Sequence, residues 1–317
     1  MRLSIRLGIG LALALAFALP LAVAQKRNAA PRLRASMVVQ TEWLASHLED
    51  SNVVVLHVAR DRSSYDAGHI PGARFVALRD ITVERAGVPN ELPPVDQLKT
   101  AFERVGVGDR TRVILYGDMQ GLLAARAYFT LDHLGQGDRA ALLDGGLEKW
   151  KSENRPLTRE EPQIKPATLT ARPNPGILVH FATMKRMSDE AQSANADVVI
   201  IDARSLEEYS GQKPGEGVKR GGHIPGAKHV FWMGHLEAKD NPILKPESEL
   251  RGMYAAVGVR PGKKVVTYCR TGVMASHSYF TLKFLGYEPM MYDGSFIEWS
   301  AAADTNVETG STLAATR

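Results

Sequence analysis

The chain has one cysteine, Cys269. It closes a short β-branched run, Val265-Val266-Thr267-Tyr268, which reads as a buried strand. Arg270, Thr271 and Gly272 follow, and Val273 to Leu282 has helical spacing. Cys269 therefore falls at a strand-to-helix turn. Peptide N–H groups of such a turn point inward, and the positive end of the helix faces the thiol. This setting predicts a lowered thiol pKa, a nucleophilic thiolate and a cradle for a small anion. The alternative is a thiol that is merely a small buried hydrophobe. The cation next door, the nearby glycine and the strand-end position favour the reactive reading.

The elements that must hold this turn occur twice. Val53 to Val58 and Val198 to Ile201 read as buried strands, and Val113 to Tyr116 matches Val265 to Tyr268. Gly68-His69-Ile70-Pro71-Gly72-Ala73 recurs letter for letter as Gly222 to Ala227. Tyr128-Phe129-Thr130-Leu131 recurs as Tyr279 to Leu282, and Asp144-Gly145-Gly146 with Trp150 recurs as Asp293-Gly294-Ser295 with Trp299. The spacing far exceeds solenoid periods, so a whole domain is duplicated. Alternating strands and helices predict an α/β fold, each copy a parallel sheet flanked by helices on both faces. Expected boundaries are residues 37–153 for a first, non-catalytic domain, 154–175 for a proline-rich linker, 176–303 for the catalytic domain and 304–317 for a flexible tail. Residues 25–36 read as a flexible lead.

The copies differ where chemistry is at stake. Gly117-Asp118-Met119-Gln120-Gly121 stands in the first where Cys269-Arg270-Thr271-Gly272 stands in the second. A carboxylate there could fill an anion site but cannot attack sulfur. The first copy is expected to wall the cleft. Cys269 lies at the carboxyl end of its strand, where open parallel sheets bind ligands.

Composition is that of an ordinary globular protein, and a net charge of +4 without a long basic run gives no reason to propose nucleic acid. Arg2, Arg6, the apolar stretch Leu7 to Leu19 and Ala22-Val23-Ala24 read as a signal peptide cleaved after Ala24. The expected location is thus exported, in the periplasm, with no stable membrane association after cleavage. No cysteine follows the apolar stretch to carry a lipid, and a single cysteine permits no internal disulfide. No His or Cys spacing suggests a metal site.

At these residues the chain resembles the rhodanese family in its tandem-domain form. The resemblance rests on the paired GHIPGA segments, Asp202-Ala203-Arg204 before Glu208-Tyr209, the loop CRTGV and the closing YDGSFIEW, and it spans Met37 to Ala303. It implies sulfane-sulfur transfer through a persulfide on Cys269, without metal or organic cofactor. The implied partners are a small anionic sulfur donor and a thiol or cyanide acceptor, with a protein acceptor as a further candidate. The N–H groups from Arg270 through Thr271, Gly272 and Val273 to Met274 would bind the donor and the persulfide. Arg270 would hold the donor at the cleft mouth. Asp202, Arg204 and Glu208 are expected to brace the loop, with Arg204 paired to Glu208 or Asp202.

Two donors compete within the resemblance. Thiosulfate-using members resemble CRKGV at the loop and mercaptopyruvate-using members resemble CGSGV. This chain has the arginine of the first and, in Thr271, a hydroxyl like the second. Family members place a substrate-binding arginine where Glu208 stands, so that role does not transfer. Lys219 and Arg220 could supply charge to the site or form a solvated loop face; the second is expected. Arg270 favours thiosulfate, since a dianion rewards a cation more than a keto acid does. Thiosulfate sulfurtransferase is the leading expectation. Mercaptopyruvate sulfurtransferase and a persulfide carrier without turnover are the alternatives. A cysteine phosphatase is disfavoured, because its loop needs arginine where Ala275 stands. His69 and His223 are expected to be structural, and His277 to be partly exposed.

Overall fold

The computed structural model describes residues 30–310. The proposed signal peptide, residues 1–24, and the tail beyond Gly310 lie outside them.

The first sheet contains β1 (Val38–Val39), β2 (Val53–Ala59), β3 (Arg74–Ala77), β6 (Arg112–Gly117) and β7 (Ala140–Leu143), in the order β1-β7-β6-β2-β3. All its pairings are parallel. A separate antiparallel hairpin, β4 (Val83–Arg85) and β5 (Val88–Glu91), projects from this half. The second sheet repeats the plan with β8 (Leu178–Val179), β9 (Val198–Asp202), β10 (Lys228–His229), β11 (Lys264–Tyr268) and β12 (Pro289–Tyr292), in the order β10-β9-β11-β12-β8.

The strands alternate because both sheet faces are covered. Val54, Leu56 and Val58 point to one core, and Val55 to the opposite one with Ile114 and Tyr116. In the second half Val198 and Ile200 face one core and Val199 and Ile201 the other. Helices α1 (Thr41–Ser46) and α5 (Gly146–Ser152) supply Leu44, Leu147 and Trp150 to one face of the first sheet. Helix α2 (Ser63–Ala67) buries Tyr65, and α3 (Val95–Arg104) supplies Leu98 and Phe102 to the other face. In the second half α6 (Phe181–Ala191) and α10 (Ser295–Ala301) cover one face, and α8 (Glu247–Ala256) the other.

Two helices join the halves. Helices α4 (Leu122–His133) and α9 (Val273–Phe284) are buried almost all round, as helices caught between a sheet and another domain must be. Phe129 meets Tyr279 and Tyr128 meets Phe280 edge-on, each with ring centroids 4.9 Å apart. Such pairs add about 0.5–1.5 kcal/mol each beyond burial. Asp132 accepts hydrogen bonds from Tyr279 Oη at 2.5 Å and Lys283 Nζ at 2.7 Å. The aspartates that follow the last strands reach across reciprocally. Leu92 N donates to Asp293 at 2.7 Å, and Leu244 N donates to Asp144 at 3.0 Å.

The repeated GHIPGA segments pack identically. His69 stacks on Tyr65 and His223 on Tyr209, with centroids 3.7 and 3.8 Å apart. Each imidazole Nδ1 meets the carbonyl of that tyrosine at 2.9 Å. Ile70 N and Ile224 N donate to the hydroxyls of Tyr116 and Tyr268.

The two segments expected to be loose are docked where they are described, and so is the linker. Residues 30–36 of the lead cross to the second half, where Arg34 N donates to Phe284 O and Arg251 to Pro31 O. The linker has no α-helix or strand up to the short 3-10 turn Pro175–Ile177, but it buries Leu169 and bridges Thr158 to His69. The start of the tail does the same for the second copy: Glu308 bridges His223, and Asn306 O accepts the Trp299 indole N–H as Pro156 O accepts that of Trp150. The duplication extends into the tail because each GHIPGA turn needs a partner strand. His277 is also corrected: it is buried, 3.2 Å from His235, and burial drives its pKa down to about 4.

Candidate active site

Cys269 follows β11, the strand paired on its two sides with β9 and β12. The strand carries the thiol into the core between the halves, and its residue is fully buried. The N–H groups of Thr271, Gly272, Met274 and Ala275 hydrogen-bond to its sulfur. Three of these belong to the run expected from the sequence, and Ala275 adds to it. The helix is entered through a left-handed residue. Gly272 has φ +84°, which turns the chain so that amides on both sides of it converge.

The expected lowering of the thiol pKa does not hold. Burial pushes the Cys269 thiol above its ordinary value, and the four amides offset this only in part. Sequence shows the strand-to-helix turn but not the complete loss of water around the sulfur, which disfavours the charged form.

The far wall of the loop is the turn between β12 and α10. Phe296 N donates to Cys269 O at 2.9 Å, and Ile297 N to Arg270 O at 3.1 Å. Cys269 N donates to Ser295 Oγ at 3.3 Å, and that hydroxyl donates to Tyr292 O at 2.9 Å. Ser295 is left-handed at φ +55°, a conformation its copy Gly146 shares.

The first half also reaches the loop. Asn90 Nδ2, at the hairpin, donates to Thr271 Oγ1 at 3.1 Å. Arg126 of α4 donates to Asp293 Oδ1 at 2.8 Å and to Asn90 O at 2.5 Å. A Cβ on Gly272 would lie 3.1 Å from Asp293 Oδ1 and 3.2 Å from Arg126 Nη1. Arg126, Asn90, Asp293 and Ser295 escaped sequence reasoning as site residues. The repeated Tyr-Phe-Thr-Leu segment, apolar on every side, was the available signal for the helix that carries Arg126.

Arg204 is fully buried and gripped by Asp202, with Nε 3.0 and 3.1 Å from the two carboxylate oxygens. It also donates to Gly222 O at 2.8 Å and lies 4.0 Å from the Phe296 ring centroid. Glu208 instead faces Arg270, with Oε1 3.7 Å from Nη1. Burial raises the Glu208 pKa; Arg204 and Arg270 oppose the rise, and Asp202 and Glu207 reinforce it. Arg220 is neither in the site nor a solvated cation. Its guanidinium holds the carbonyls of Trp299, Ser300 and Ala302. Lys219 lines a groove with Arg85, Glu91, Phe181, Ile297 and Glu298.

In the first half Gly117 takes the place of the thiol. Asp118 is hydrogen-bonded by Ser64 at 3.0 Å and meets His57 Nε2 at 3.3 Å. Burial raises its pKa, but these two contacts outweigh burial and leave it low. Among the described residues no group of three or more His, Cys, Asp or Glu could hold a metal ion, and no helix is long and apolar enough to cross a membrane.

The sequence profile of the rhodanese-like domain matches residues 40–153 and 183–302. A sulfur carrier protein, TtuD, of Thermus thermophilus is 35% identical over 83% of this chain and 93% of its own length. A Mycolicibacterium smegmatis protein provisionally named a thiosulfate sulfurtransferase is 32% identical over 88% of this chain and 99% of its own. A Pseudomonas aeruginosa protein provisionally named a 3-mercaptopyruvate sulfurtransferase is 33% identical over 88% of this chain and 100% of its own. Among solved structures, an anaerobic ergothioneine biosynthesis enzyme of Chlorobium limicola superposes with a TM-score of 0.77. That match has 24% identity and covers 88% of this chain and 72% of the other, a likeness of fold alone.

Proposed function

Given that the chain belongs to the rhodanese family of sulfurtransferases, we propose that it moves sulfane sulfur through a persulfide on Cys269, with thiosulfate as donor. The observation that carries this reading is the convergence of four backbone N–H groups on the Cys269 sulfur at the carboxyl end of β11. In the first step the thiolate attacks the outer sulfur of thiosulfate. The sulfur–sulfur bond to the sulfonyl group breaks, and sulfite leaves with the electron pair. In the second step an acceptor, cyanide or a thiol, attacks the terminal sulfur of the persulfide and the Cys269 thiolate is restored. Splitting the transfer in two is covalent catalysis. The amides of Thr271, Gly272, Met274 and Ala275 stabilise charge on the bound sulfur without reorganising. Arg270, half-buried at the loop, attracts the donor.

The pairing of Arg270 with Glu208 supports a second donor, mercaptopyruvate, which carries one charge rather than two. The burial of Cys269 and the name of the Thermus relative support a third reading, a persulfide carrier that hands sulfur to a protein. Export to the periplasm after cleavage at Ala24 remains part of the proposal and rests on the leader sequence alone.

The test is to offer thiosulfate and mercaptopyruvate separately and to look by mass spectrometry for one added sulfur on Cys269. Loading and turnover in the wild type, both lost in Cys269→Ser, is the expected result. Turnover retained by Cys269→Ser overturns the proposal. Loading without turnover onto cyanide or a thiol selects the carrier.

A further inference from the structure

Helix α7 (Leu206–Ser210) begins at Ser205, whose hydroxyl accepts from Glu208 N and so fixes where the Glu208 side chain emerges. That side chain is 15% exposed, and its Oε1 is buried without a hydrogen-bond partner. The nearest cation is Arg270, beside the reacting thiol, 3.7 Å away. Arg204 is close as well and acts on Glu208 at least as strongly, but Asp202 holds it with both oxygens and keeps it away from the loop. A loop special to the second copy seals the pair. Residues 66–68 join Tyr65 to His69, whereas residues 210–222 join Tyr209 to His223. Gly215 of this longer loop lies against both side chains: a Cβ there would sit 2.2 Å from Glu208 Oε1 and 2.5 Å from Arg270 Cδ. The carboxylate is thus pressed onto the one loop cation and is shielded from water.

We propose that Glu208 is a specificity-determining charge filter, which weakens the site for doubly charged sulfur donors relative to singly charged ones by opposing the attraction of Arg270. The inference rests on the reading that Arg270 meets the donor. Coulomb energy scales with the charge of the ligand, so a carboxylate this close penalises a dianion twice as much, in free energy, as a monoanion. No bond forms or breaks at Glu208. It acts on donor binding and leaves the two transfer steps as they are. The groups facing it are Arg204, Arg270, Asp202 and Glu207, and burial raises its pKa against the two arginines.

The test compares wild type with Glu208→Gln, which keeps the shape and removes the charge. The expected gain in kcat/KM is about tenfold for thiosulfate and about threefold for mercaptopyruvate. The gain should lie in KM and should persist when Arg270→Met is added, since the carboxylate repels the donor whether or not the arginine is present. Equal gains for the two donors, or no gain, overturn the filter. A readout free of turnover separates this outcome from failure of the functional reading: protection of Cys269 from alkylation by sulfate, an unreactive dianion. Glu208→Gln should be protected at about tenfold lower sulfate. In the unaltered protein, sulfate should protect better as pH falls and Glu208 gains its proton. If neither donor loads Cys269 but sulfate protection still shifts, the sulfur-transfer reading fails and the filter stands. If protection is identical in the two proteins, the filter fails whatever the donors do.

Discussion

Arg126 in the half that lacks the thiol donates to Asp293 in the half that has it, at 2.8 Å, with the arginine wholly buried. The same guanidinium holds Asn90 O, and Asn90 in turn holds the Thr271 hydroxyl. Docking of the halves and geometry of the sulfur cradle are therefore one arrangement. Removing one partner of a buried ion pair leaves the other charge stranded, at a cost of about 3–5 kcal/mol.

Arg126→Met is therefore expected to lower unfolding free energy by about 3 kcal/mol in urea denaturation. Sulfur transfer should fall even at temperatures where the variant is folded, because Thr271 and Gly272 lose their backing. Asp293→Asn should cost a similar amount, since it strands the buried Arg126 charge and its single amide oxygen cannot accept from both Arg126 and Leu92 N. A change in stability within about 0.5 kcal/mol for Arg126→Met would show that the pair holds nothing.

The pH behaviour of Cys269 follows from the direction of its shift. Burial raises the folded pKa above that of the unfolded chain, and the four amides lower it by less. A raised pKa means that the neutral thiol is the form the fold prefers. This contribution is complete below the unfolded pKa and disappears as pH rises through the folded value. Alkylation of the free protein should therefore accelerate with a midpoint more alkaline than that of a free cysteine derivative. Stability should decline over that same alkaline window in wild type and not in Cys269→Ser. The check is the pH dependence of the alkylation rate beside the small thiol; a midpoint on the acid side refutes the burial argument.

What could be read from the chain and what could not divide along a physical line. Runs such as Val53 to Val58 announce buried strands because β-branched residues suit a sheet covered on both faces. The duplication marked both halves, and the strand end before Cys269 was legible as well. Asp202 and Arg204, two residues apart, could be paired from sequence because the contact is local. Arg126 and Asp293 could not, since no local pattern encodes a contact between residues so far apart in the chain. The burial that raises the Cys269 pKa arises between the domains, from the same α4–α9 packing. His277 was misjudged for a related reason. Its helix turns one side to its own sheet and another to the neighbouring half, so a polar residue on it has nowhere exposed to go and pairs with His235.

A thiol transplanted into the first copy would meet an obstacle in its backbone. Gly117 is the last residue of β6 and pairs with Val58 across the sheet. A Cβ there would stand 2.2 Å from Val58 O, a backbone atom that cannot move without breaking the strand pairing. The loop beyond it carries Met119 and Gln120 at φ +58° and +55°, and its carboxylate is committed to Ser64 and His57. Cys269, by contrast, leaves its strand before the helix begins and has room for a side chain. Gly117→Cys in a Cys269→Ser background should therefore gain no sulfur from any donor. It should also cost about 1–3 kcal/mol of stability through overpacking. Mass spectrometry after incubation with thiosulfate, together with a urea melt, decides the matter. Sulfur found on the new cysteine would mean that the two loops differ only in their side chains.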